Sequence, residues 1–257
     1  MAARPPRAST RALAPDRVVV GTHAVSSVLT HQARRAEQLF VDDGARGGAI
    51  AALAVRAQVP VTVRTKDELD SLAGGDLVHQ GAVLACRPFT FADLDDVVRD
   101  GPLLALVLDG VVDPRNFGRA VRSAHALGAS FVAIPDRHAA SPTAAAYKAS
   151  AGALARVPIV RFENLRRRLD DLKARGFWIV GAEADASRAP WEVDLRDRIA
   201  LVVGGEDRGL RRLTREACDH VVSIPMGAED VSLNAADAAT LLLYEALRQR
   251  RAGFPSR

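Results

Sequence analysis

Polar side chains that could handle an anion or a hydroxyl group follow an apolar run near the middle of the chain. The segment from Asp109 to Arg122 reads DGVVDPRNFGRAVR, and an apolar stripe at helical spacing predicts a helix that starts near Asn116. Asn116 and Arg122 lie off that stripe. A guanidinium donates hydrogen bonds in pairs and suits phosphate groups, so Arg122 is a candidate for binding or chemistry. Surface charge for Arg122 and a helix cap for Asn116 are the alternatives.

A glycine-rich turn follows a second apolar run. Residues 201–210 read LVVGGEDRGL, which predicts a strand, a turn from Gly204 to Gly209 and then a helix. Glycines let a backbone approach a ligand closely. The turn lacks the GxGxxG spacing of a dinucleotide site and the Gly-Lys-Ser/Thr of a P-loop. It therefore predicts either a ligand-binding loop that contains Glu206 or a plain connection from strand to helix.

A third polar segment follows the last predicted strand. That strand ends in Ile224-Pro225-Met226, and after a loop Ser232-Leu233-Asn234 is predicted to open the last helix. Ser232 is typical of a helix N-cap. The helix is rich in alanine at positions 235, 236, 238 and 239, and small side chains let another helix pack closely. A subunit interface and a tight turn within the fold would both use such a surface.

Two α/β units are predicted to position these segments. Residues 17–88 alternate short β runs with helical stretches at 22–29, 49–57 and 66–72, whereas residues 89–102 are acidic and are interpreted as a linker. From residue 103 onward the runs are almost purely apolar. The predicted strands are 18–21, 39–41, 60–64 and 82–86 in the first unit, and 103–108, 131–134, 157–160, 177–180, 199–203 and 221–224 in the second.

The apolar runs of the second unit predict its fold class. Continuous apolar strands that alternate with helices are typical of a parallel sheet covered on both faces. In such sheets, ligands bind beyond the carboxyl ends of the strands. Each of the three polar segments follows a predicted strand, which is where a site is expected.

The composition is that of a globular chain with a basic balance. Of 257 residues, 48% are apolar and 26% charged, which excludes disorder of the whole chain, and no apolar run approaches the ~20 residues that a membrane helix needs. The net charge is +4 and the pI about 9.6. All but three of the 35 basic residues are arginine. Arginine enrichment is typical of nucleic-acid binding and equally of a GC-rich genome.

The spacing of cysteines and histidines indicates the redox state of the cellular compartment and whether a metal site is expected. Cys86 and Cys218 lie far apart and outside any CxxC, which is typical of free thiols in a reducing compartment, and we expect a cytoplasmic protein. The six histidines show no metal spacing, so we expect no metal site. Residues 1–16 are interpreted as a disordered basic tail, with an RNA-contacting arm or an organelle transit peptide as alternatives; without an apolar h-region they do not form a secretory signal.

In this order, the three segments resemble the SpoU (TrmH) branch of the SPOUT methyltransferases. The resemblance covers about residues 18–250. The family motifs and their matches are Asn-x-Gly-x-x-x-Arg (Asn116, Gly118 and Arg122), Gly-x-Glu-x-x-Gly (Gly204, Glu206 and Gly209), Ile-Pro-Met (224–226) and Ser-Leu-Asn (232–234).

The resemblance implies a reaction, a cofactor, a partner and a fold. It implies transfer of a methyl group from S-adenosylmethionine to a ribose 2′-hydroxyl of RNA, by a homodimer formed through the carboxyl-terminal domain, 103–257, with a trefoil knot. Gly21-Thr22-His23-Ala24-Val25 and Val78-His79-Gln80-Gly81 resemble the substrate-binding domain, similar to a small ribosomal protein, of bacterial 23S rRNA guanosine-2′-O-methyltransferases. A guanosine of 23S rRNA is the expected target, with another rRNA or tRNA nucleotide as the alternative.

The resemblance also implies roles for individual residues. We expect Arg122 to stabilise the developing alkoxide or to clamp the adjacent phosphate, because a guanidinium is hard to deprotonate and is a poor general base. The residues expected to position the ribose and order the loops are Asn116, Glu206, Ser232 and Asn234. Backbone at Gly204, Ile224 and Leu233 is expected to hold the adenosine part of the cofactor.

The sequence departs from the family motif at one place, and two alternative functions remain open. The family often has Ser-Leu-Asn-Val-Ser, whereas this chain continues with Ala235-Ala236 and then Asp237, which is expected to bond across a dimer interface or to stay hydrated. A non-catalytic RNA-binding protein of the same fold and a nucleotide-dependent oxidoreductase are the alternative functions. Binding of adenosylmethionine, of no cofactor, or of NAD(P) distinguishes the three.

Overall fold

The computed structural model describes residues 12–74, 77–206, 208–228 and 232–252. The chain divides into two compact units between Phe89 and Thr90. Residues 1–11 of the predicted tail lie outside the described residues. Within residues 12–16, the Leu13 N–H donates to the Leu72 carbonyl at 3.4 Å.

The first unit contains a four-stranded mixed sheet in the order β1-β4-β2-β3. Its central strand β4 is buried at every position, and only β2 and β3 run parallel. The elements are β1 (Val18–Val20), α1 (Thr22–His31), β2 (Ala36–Val41), α2 (Ala45–Arg56), β3 (Val61–Val63), α3 (Lys66–Ala73) and β4 (Ala82–Cys86), with a 3₁₀ turn at Ala33–Arg35. Each predicted strand and helix of this unit is present, with its ends shifted by four residues or fewer.

Helix α3 shows how local sequence sets these ends. Thr65 Oγ1 accepts from the Glu68 N–H while the Glu68 carboxylate accepts from the Thr65 N–H, which is a capping box. Gly74, with φ 86°, ends the helix in the left-handed conformation that glycine adopts without strain. The helix therefore spans the residues between these two signals.

The second unit contains a six-stranded parallel sheet in the order β10-β8-β9-β5-β6-β7. The predicted α/β fold with a mostly parallel sheet is confirmed. The strands are β5 (Leu104–Asp109), β6 (Phe131–Pro135), β7 (Ile159–Phe162), β8 (Trp178–Ala182), β9 (Ile199–Gly204) and β10 (His220–Val222). The helices are α4 (Leu94–Val97), α5 (Pro114–Ala126), α6 (Ala144–Ala149), α7 (Leu165–Ala174), α8 (Arg212–Ala217) and α9 (Ala235–Ala252), with 3₁₀ turns at Ala153–Ala155 and Pro190–Glu192.

Strands β5 and β9 form the middle of this sheet. Both are buried at every position, in keeping with their continuous apolar sequences. Their register runs from Leu104 beside Ile199 to Asp109 beside Gly204. The carboxyl ends of the two strands therefore lie side by side, and the first two polar segments start from neighbouring points.

The acidic segment interpreted as a linker packs on the second unit. Leu94 in α4 is 4% exposed and belongs to the core that contains Val160 and Phe177. Ala92 forms a parallel bridge with Val160. The apolar residues at 94, 97 and 98 have helical spacing among the acidic ones, and burying them draws the segment onto the sheet.

Three further structural findings concern metal sites, membrane-spanning helices and cysteines. Among the described residues, no group of three or more His, Cys, Asp or Glu side chains is arranged to hold a metal ion. In the same part of the chain, no helix has the length and apolar character to cross a membrane. Cys86 and Cys218 are free thiols.

Candidate active site

The glycine-rich loop after β9 is tied to the end of β5 at both of its ends. The Gly205 N–H donates to the Asp109 carbonyl at 2.9 Å, and the Arg211 N–H donates to Asp109 Oδ2 at 3.0 Å. Asp109 is 1% exposed, and its Oδ1 lies 3.4 Å from Arg211 Nε. The buried carboxylate at the end of β5 therefore sets the position of the loop from 205 to 211.

Glycine is required at the start of this loop for steric reasons. A Cβ on Gly204 would overlap the Gly209 carbonyl and the Leu210 nitrogen. The Gly209 φ is 59°, and the Leu210 N–H donates to Glu183 Oε1 at 2.7 Å. The turn is tight, as one interpretation of the sequence predicted, and it lines a cavity; ligand binding by the loop stays a prediction.

This cavity has a volume of about 350 Å³, which is within the range of small-molecule sites. Among the described residues, its wall combines apolar side chains, two carboxylates, one guanidinium and the glycine-rich backbone. It brings together Gly204, Ile224 and Leu233, which we predicted for the cofactor, and Glu206 and Ser232, which we predicted for catalysis. The remaining lining residues are Ala182, Glu183, Ala184, Val203, Gly205, Arg208, Gly209, Met226, Ala235 and Ala238.

Asn116 joins the first polar segment to the second. Asp113 caps α5 by accepting from the Arg115 N–H at 2.8 Å, and Pro114 occupies the first helical position. The helix therefore begins two residues before Asn116, and Asn116 is not its cap. The Asn116 carboxamide Nδ2 instead donates to Glu206 Oε1, across 90 residues of sequence.

Gly118, the glycine of the first motif, has a packing function. A Cβ there would overlap the Ala146 carbonyl and press on the Ala149 side chain. Glycine at this position lets α6 approach α5 closely. The first motif thus contains one residue for helix packing between Asn116, which bonds to Glu206, and Arg122.

Arg122 lies at a second, smaller cavity between α5 and α9. That cavity has a volume of about 160 Å³ and is lined by Arg119, Arg122, Ser123, Ala236, Asp237 and Thr240. Arg119 Nη2 lies 2.6 Å from Asp237 Oδ1, and the Ser123 and Thr240 hydroxyls lie 2.6 Å apart. The structure therefore does not bring Arg122 into the larger cavity. Asp237 pairs within its own chain, an arrangement the sequence did not suggest.

Asn234 caps the last helix. Helix α9 begins at Ala235, and Asn234 Oδ1 accepts from the Asp237 N–H at 3.0 Å. The prediction that Ser232 opens the helix as its cap is therefore wrong by two residues, because Asn234 takes the capping position. Ser232 is exposed at the rim of the larger cavity.

Sequence reasoning missed Glu183. It follows the carboxyl end of β8, lines the larger cavity and accepts the Leu210 N–H. An acidic residue directly after an apolar strand of a parallel sheet was the available signal. Arg208 and Met226 also line the cavity, and both belong to segments that the sequence had singled out.

Comparisons with known proteins identify the family. The SpoU rRNA methylase family matches residues 103–244, which is more than half of the chain, and a family described as RNA 2′-O ribose methyltransferase substrate binding matches residues 18–92. The 23S rRNA (guanosine-2′-O-)-methyltransferase RlmB of Pseudomonas putida is 37% identical over 91% of this chain and 96% of its own length. The RlmB of Xylella fastidiosa is 40% identical over 90% and 96%.

Solved structures agree with the sequence relatives. The SpoU methyltransferase AviRb of Streptomyces viridochromogenes, in complex with the cofactor AdoMet, has a TM-score of 0.81 at 29% identity and covers 92% of this chain and 91% of its own. The resemblance drawn from the three motifs is confirmed, whereas the trefoil knot stays a prediction. The chain belongs to the SpoU rRNA methylase family.

Proposed function

We propose that this protein transfers a methyl group from S-adenosylmethionine to the ribose 2′-hydroxyl of a guanosine in 23S rRNA. The observation that carries the proposal is the convergence of the second and third motifs on one cavity, in a chain that matches RlmB proteins over at least 90% of its length. The family match at residues 18–92 supports an RNA substrate. The cofactor-bound AviRb structure supports adenosylmethionine as the methyl donor.

The larger cavity suits adenosylmethionine by its chemistry. Val203, Ile224 and Leu233 offer an apolar surface to an adenine ring, and the glycine-rich backbone offers amide and carbonyl groups. The Glu183 and Glu206 carboxylates favour a cationic group nearby, and the Arg208 guanidinium favours a carboxylate. The cofactor, when bound, supplies a methyl group on a cationic sulfur, which a ribose oxygen can attack.

Arg122 is proposed to act on the ribose oxygen and its adjacent phosphate. Within the described part of the chain, the Arg122 guanidinium has no hydrogen-bond or ion-pair partner, whereas the neighbouring Arg119 is paired with Asp237. An unpaired guanidinium keeps its five donors for the substrate. It stabilises negative charge on the ribose oxygen as the 2′-hydroxyl gives its proton to solvent water, and its planar fork fixes the angle of approach.

The other predicted site residues are proposed to order the loops around the reacting groups. The Asn116–Glu206 hydrogen bond joins α5 to the glycine-rich loop, so movement of either segment affects the other. The Asn234 cap fixes the first turn of α9, which forms a wall of both cavities. Ser232, with an exposed hydroxyl at the cavity rim, is proposed to position the ribose.

A homodimer through the carboxyl-terminal domain completes the proposal. Arg122 and the cofactor cavity are separate within one chain, so a second copy is proposed to bring its Arg122 to this cavity. Leu241 and Tyr244, three residues apart on α9, are 45% and 57% exposed and offer an apolar face. Because bacterial rRNA is located in the cytoplasm, we propose that the protein acts there.

Sedimentation tests the dimer. Tyr244→Asp puts a charge on the proposed apolar face and is expected to yield a monomer without transfer activity. Leu213→Asp is the matched control, because Leu213 is 50% exposed on α8 and outside this face. A wild-type protein that sediments as a monomer while active would contradict the dimer.

Mapping of the methylated nucleotide tests the target. Labelled methyl transfer to an unmodified 23S rRNA transcript, followed by single-nucleotide mapping, is expected to give one modified guanosine. Modification of another nucleotide or of tRNA alone would retain the reaction and overturn the target. Absence of transfer to every RNA, from an enzyme that binds adenosylmethionine, would overturn the proposed reaction on naked RNA.

A further inference from the structure

A tight turn at residues 79–82 of the first unit has an unusual residue at its tip. The Ala82 N–H donates to the His79 carbonyl at 3.0 Å, and the two central residues, Gln80 and Gly81, have φ values of 53° and 83°. Positive φ at both central positions is the pattern of a type I′ turn. Such turns favour Asn, Asp or Gly at the first central position, and glutamine has no such preference.

The same backbone conformation occurs at Gln58 for a different reason. Gln58, with φ 58°, lies two residues after the end of α2, where the Gln58 N–H donates to the Val55 carbonyl and the Val59 N–H donates to the Ala54 carbonyl. That pair of bonds is a Schellman motif, which routinely holds one residue in the left-handed conformation. Gln80 does not follow a helix, so helix termination does not account for it.

A buried histidine holds the Gln80 turn in place. The His79 ring is 6% exposed, and its Nδ1 accepts from the Gly81 N–H at 3.0 Å. Its Nε2 lies 3.2 Å from Asp70 Oδ1 on α3. Both ring nitrogens are therefore engaged, and the structure around the turn maintains the strained backbone of Gln80.

The Gln80 side chain is presented to solvent in one orientation. The Thr22 hydroxyl donates to Gln80 Oε1 at 3.3 Å, and a Cβ on Gly21 would lie 3.3 Å from the same oxygen. Gln80 itself is exposed. Within the described residues no group accepts a hydrogen bond from Gln80 Nε2, so its two N–H donors are available to a ligand.

We infer that Gln80 hydrogen-bonds to an unpaired nucleobase of the RNA substrate. The inference rests on the proposed function, since it assumes that residues 18–92 contact RNA. The Gln80 side chain makes one long, exposed hydrogen bond, with Thr22, which is a small return for a strained backbone and points to binding. A neutral carboxamide with donors and an acceptor suits a base edge better than a phosphate, and proteins read RNA sequence at unpaired bases.

RNA binding by two glutamate variants tests the inference. Gln80→Glu keeps the shape of the side chain and removes its N–H donors, and Gln58→Glu makes the same change, with the same added charge, at the control position. We expect Gln80→Glu to weaken binding of an unmodified 23S rRNA transcript, read by fluorescence anisotropy, about tenfold, or about 1.4 kcal/mol. We expect KM for that RNA to rise equally, with kcat within about twofold of wild type. Equal affinities of the two variants would overturn the inference.

A second variant separates binding from folding. Gln80→Asn places a residue that the turn favours and shortens the carboxamide by one methylene. Its melting temperature is expected to equal or exceed that of wild type while its RNA affinity falls. A variant with wild-type affinity would overturn the role of Gln80.

Failure of the proposed function gives a different result. A wild-type enzyme that binds the transcript without transferring methyl groups would contradict the proposed reaction, and the two glutamate variants would still be compared by affinity. Wild-type protein that binds no RNA would overturn both.

Discussion

Replacement of Gly204 by alanine is a sharp test of how the cofactor cavity is built. The new methyl group would overlap the Gly209 carbonyl and the Leu210 nitrogen, so the loop from 205 to 210 must move outward. Gly204 has no positive φ, so alanine meets only the steric obstacle. An extra methyl group in a packed site costs about 1–3 kcal/mol. If the loop of the free variant stays displaced and cofactor binding forces it back, this cost is subtracted from the free energy of binding. Cofactor affinity then falls about 5- to 150-fold.

Calorimetric titration with adenosylmethionine measures this loss directly. Gly227→Ala is the matched control, because a Cβ at Gly227 has no neighbour within 4 Å and the residue follows the cavity-lining Met226. We expect the control to bind as wild type does. Equal affinities of Gly204→Ala and the control would refute the account of the loop, provided that both variants melt as cooperatively as wild type.

Three further predictions concern the arginine, the bond between motifs and a buried thiol. Arg122→Lys loses the planar fork, and kcat is expected to fall about 10²- to 10³-fold with unchanged cofactor affinity; near-normal turnover would remove Arg122 from the chemistry. Asn116→Asp sets a carboxylate against Glu206 and is expected to lower kcat about tenfold, whereas Glu206→Gln keeps an acceptor and loses less; equal losses would contradict the pairing. Burial raises the pKa of the Cys86 thiol to about 11 from 9.0. Because the unfolded thiol ionises first as pH rises, the free energy of unfolding should fall by up to about 3 kcal/mol between pH 9 and 11; chemical denaturation of Cys86→Ala should show a flatter pH dependence.

The strands of this protein were the most predictable part of its fold. Short, continuous apolar runs such as 103–108 and 199–203 favour buried strands of a parallel sheet, and each lies in a buried strand of the structure. The order of strands was not predictable, because it depends on packing between distant segments. The neighbouring ends of β5 and β9, and hence the bond between Asn116 and Glu206, follow from that order.

Helix starts were harder to predict than helices. Several residues before α5 and α9 can cap a helix; Asn116 was one open candidate for α5, and Ser232 was predicted to open α9. Asp113 followed by Pro114 was a stronger signal for α5, since proline suits the first helical position. For α9, Ser232 and Asn234 carry equivalent capping chemistry, and only the structure distinguishes them.

Part of the grouping of the predicted site residues followed from the sequence, whereas their geometry did not, and their roles stay predictions. Five of the residues predicted for catalysis or cofactor binding line one cavity, among them Gly204 and Glu206. Spacing gave no indication that Arg122 lies at a separate cavity beside Asp237, because that arrangement arises from the packing of α5 on α9. Glu183 was missed because it belongs to no motif.

Nucleoside analysis of the reaction product tests whether the enzyme methylates the ribose of a guanosine. Unmodified 23S rRNA is incubated with the enzyme and labelled adenosylmethionine, digested to nucleosides and resolved by mass spectrometry. We expect the label to appear in 2′-O-methylguanosine. Label in a base-methylated nucleoside would contradict ribose chemistry, and an unlabelled digest from a cofactor-binding enzyme would contradict the account as a whole.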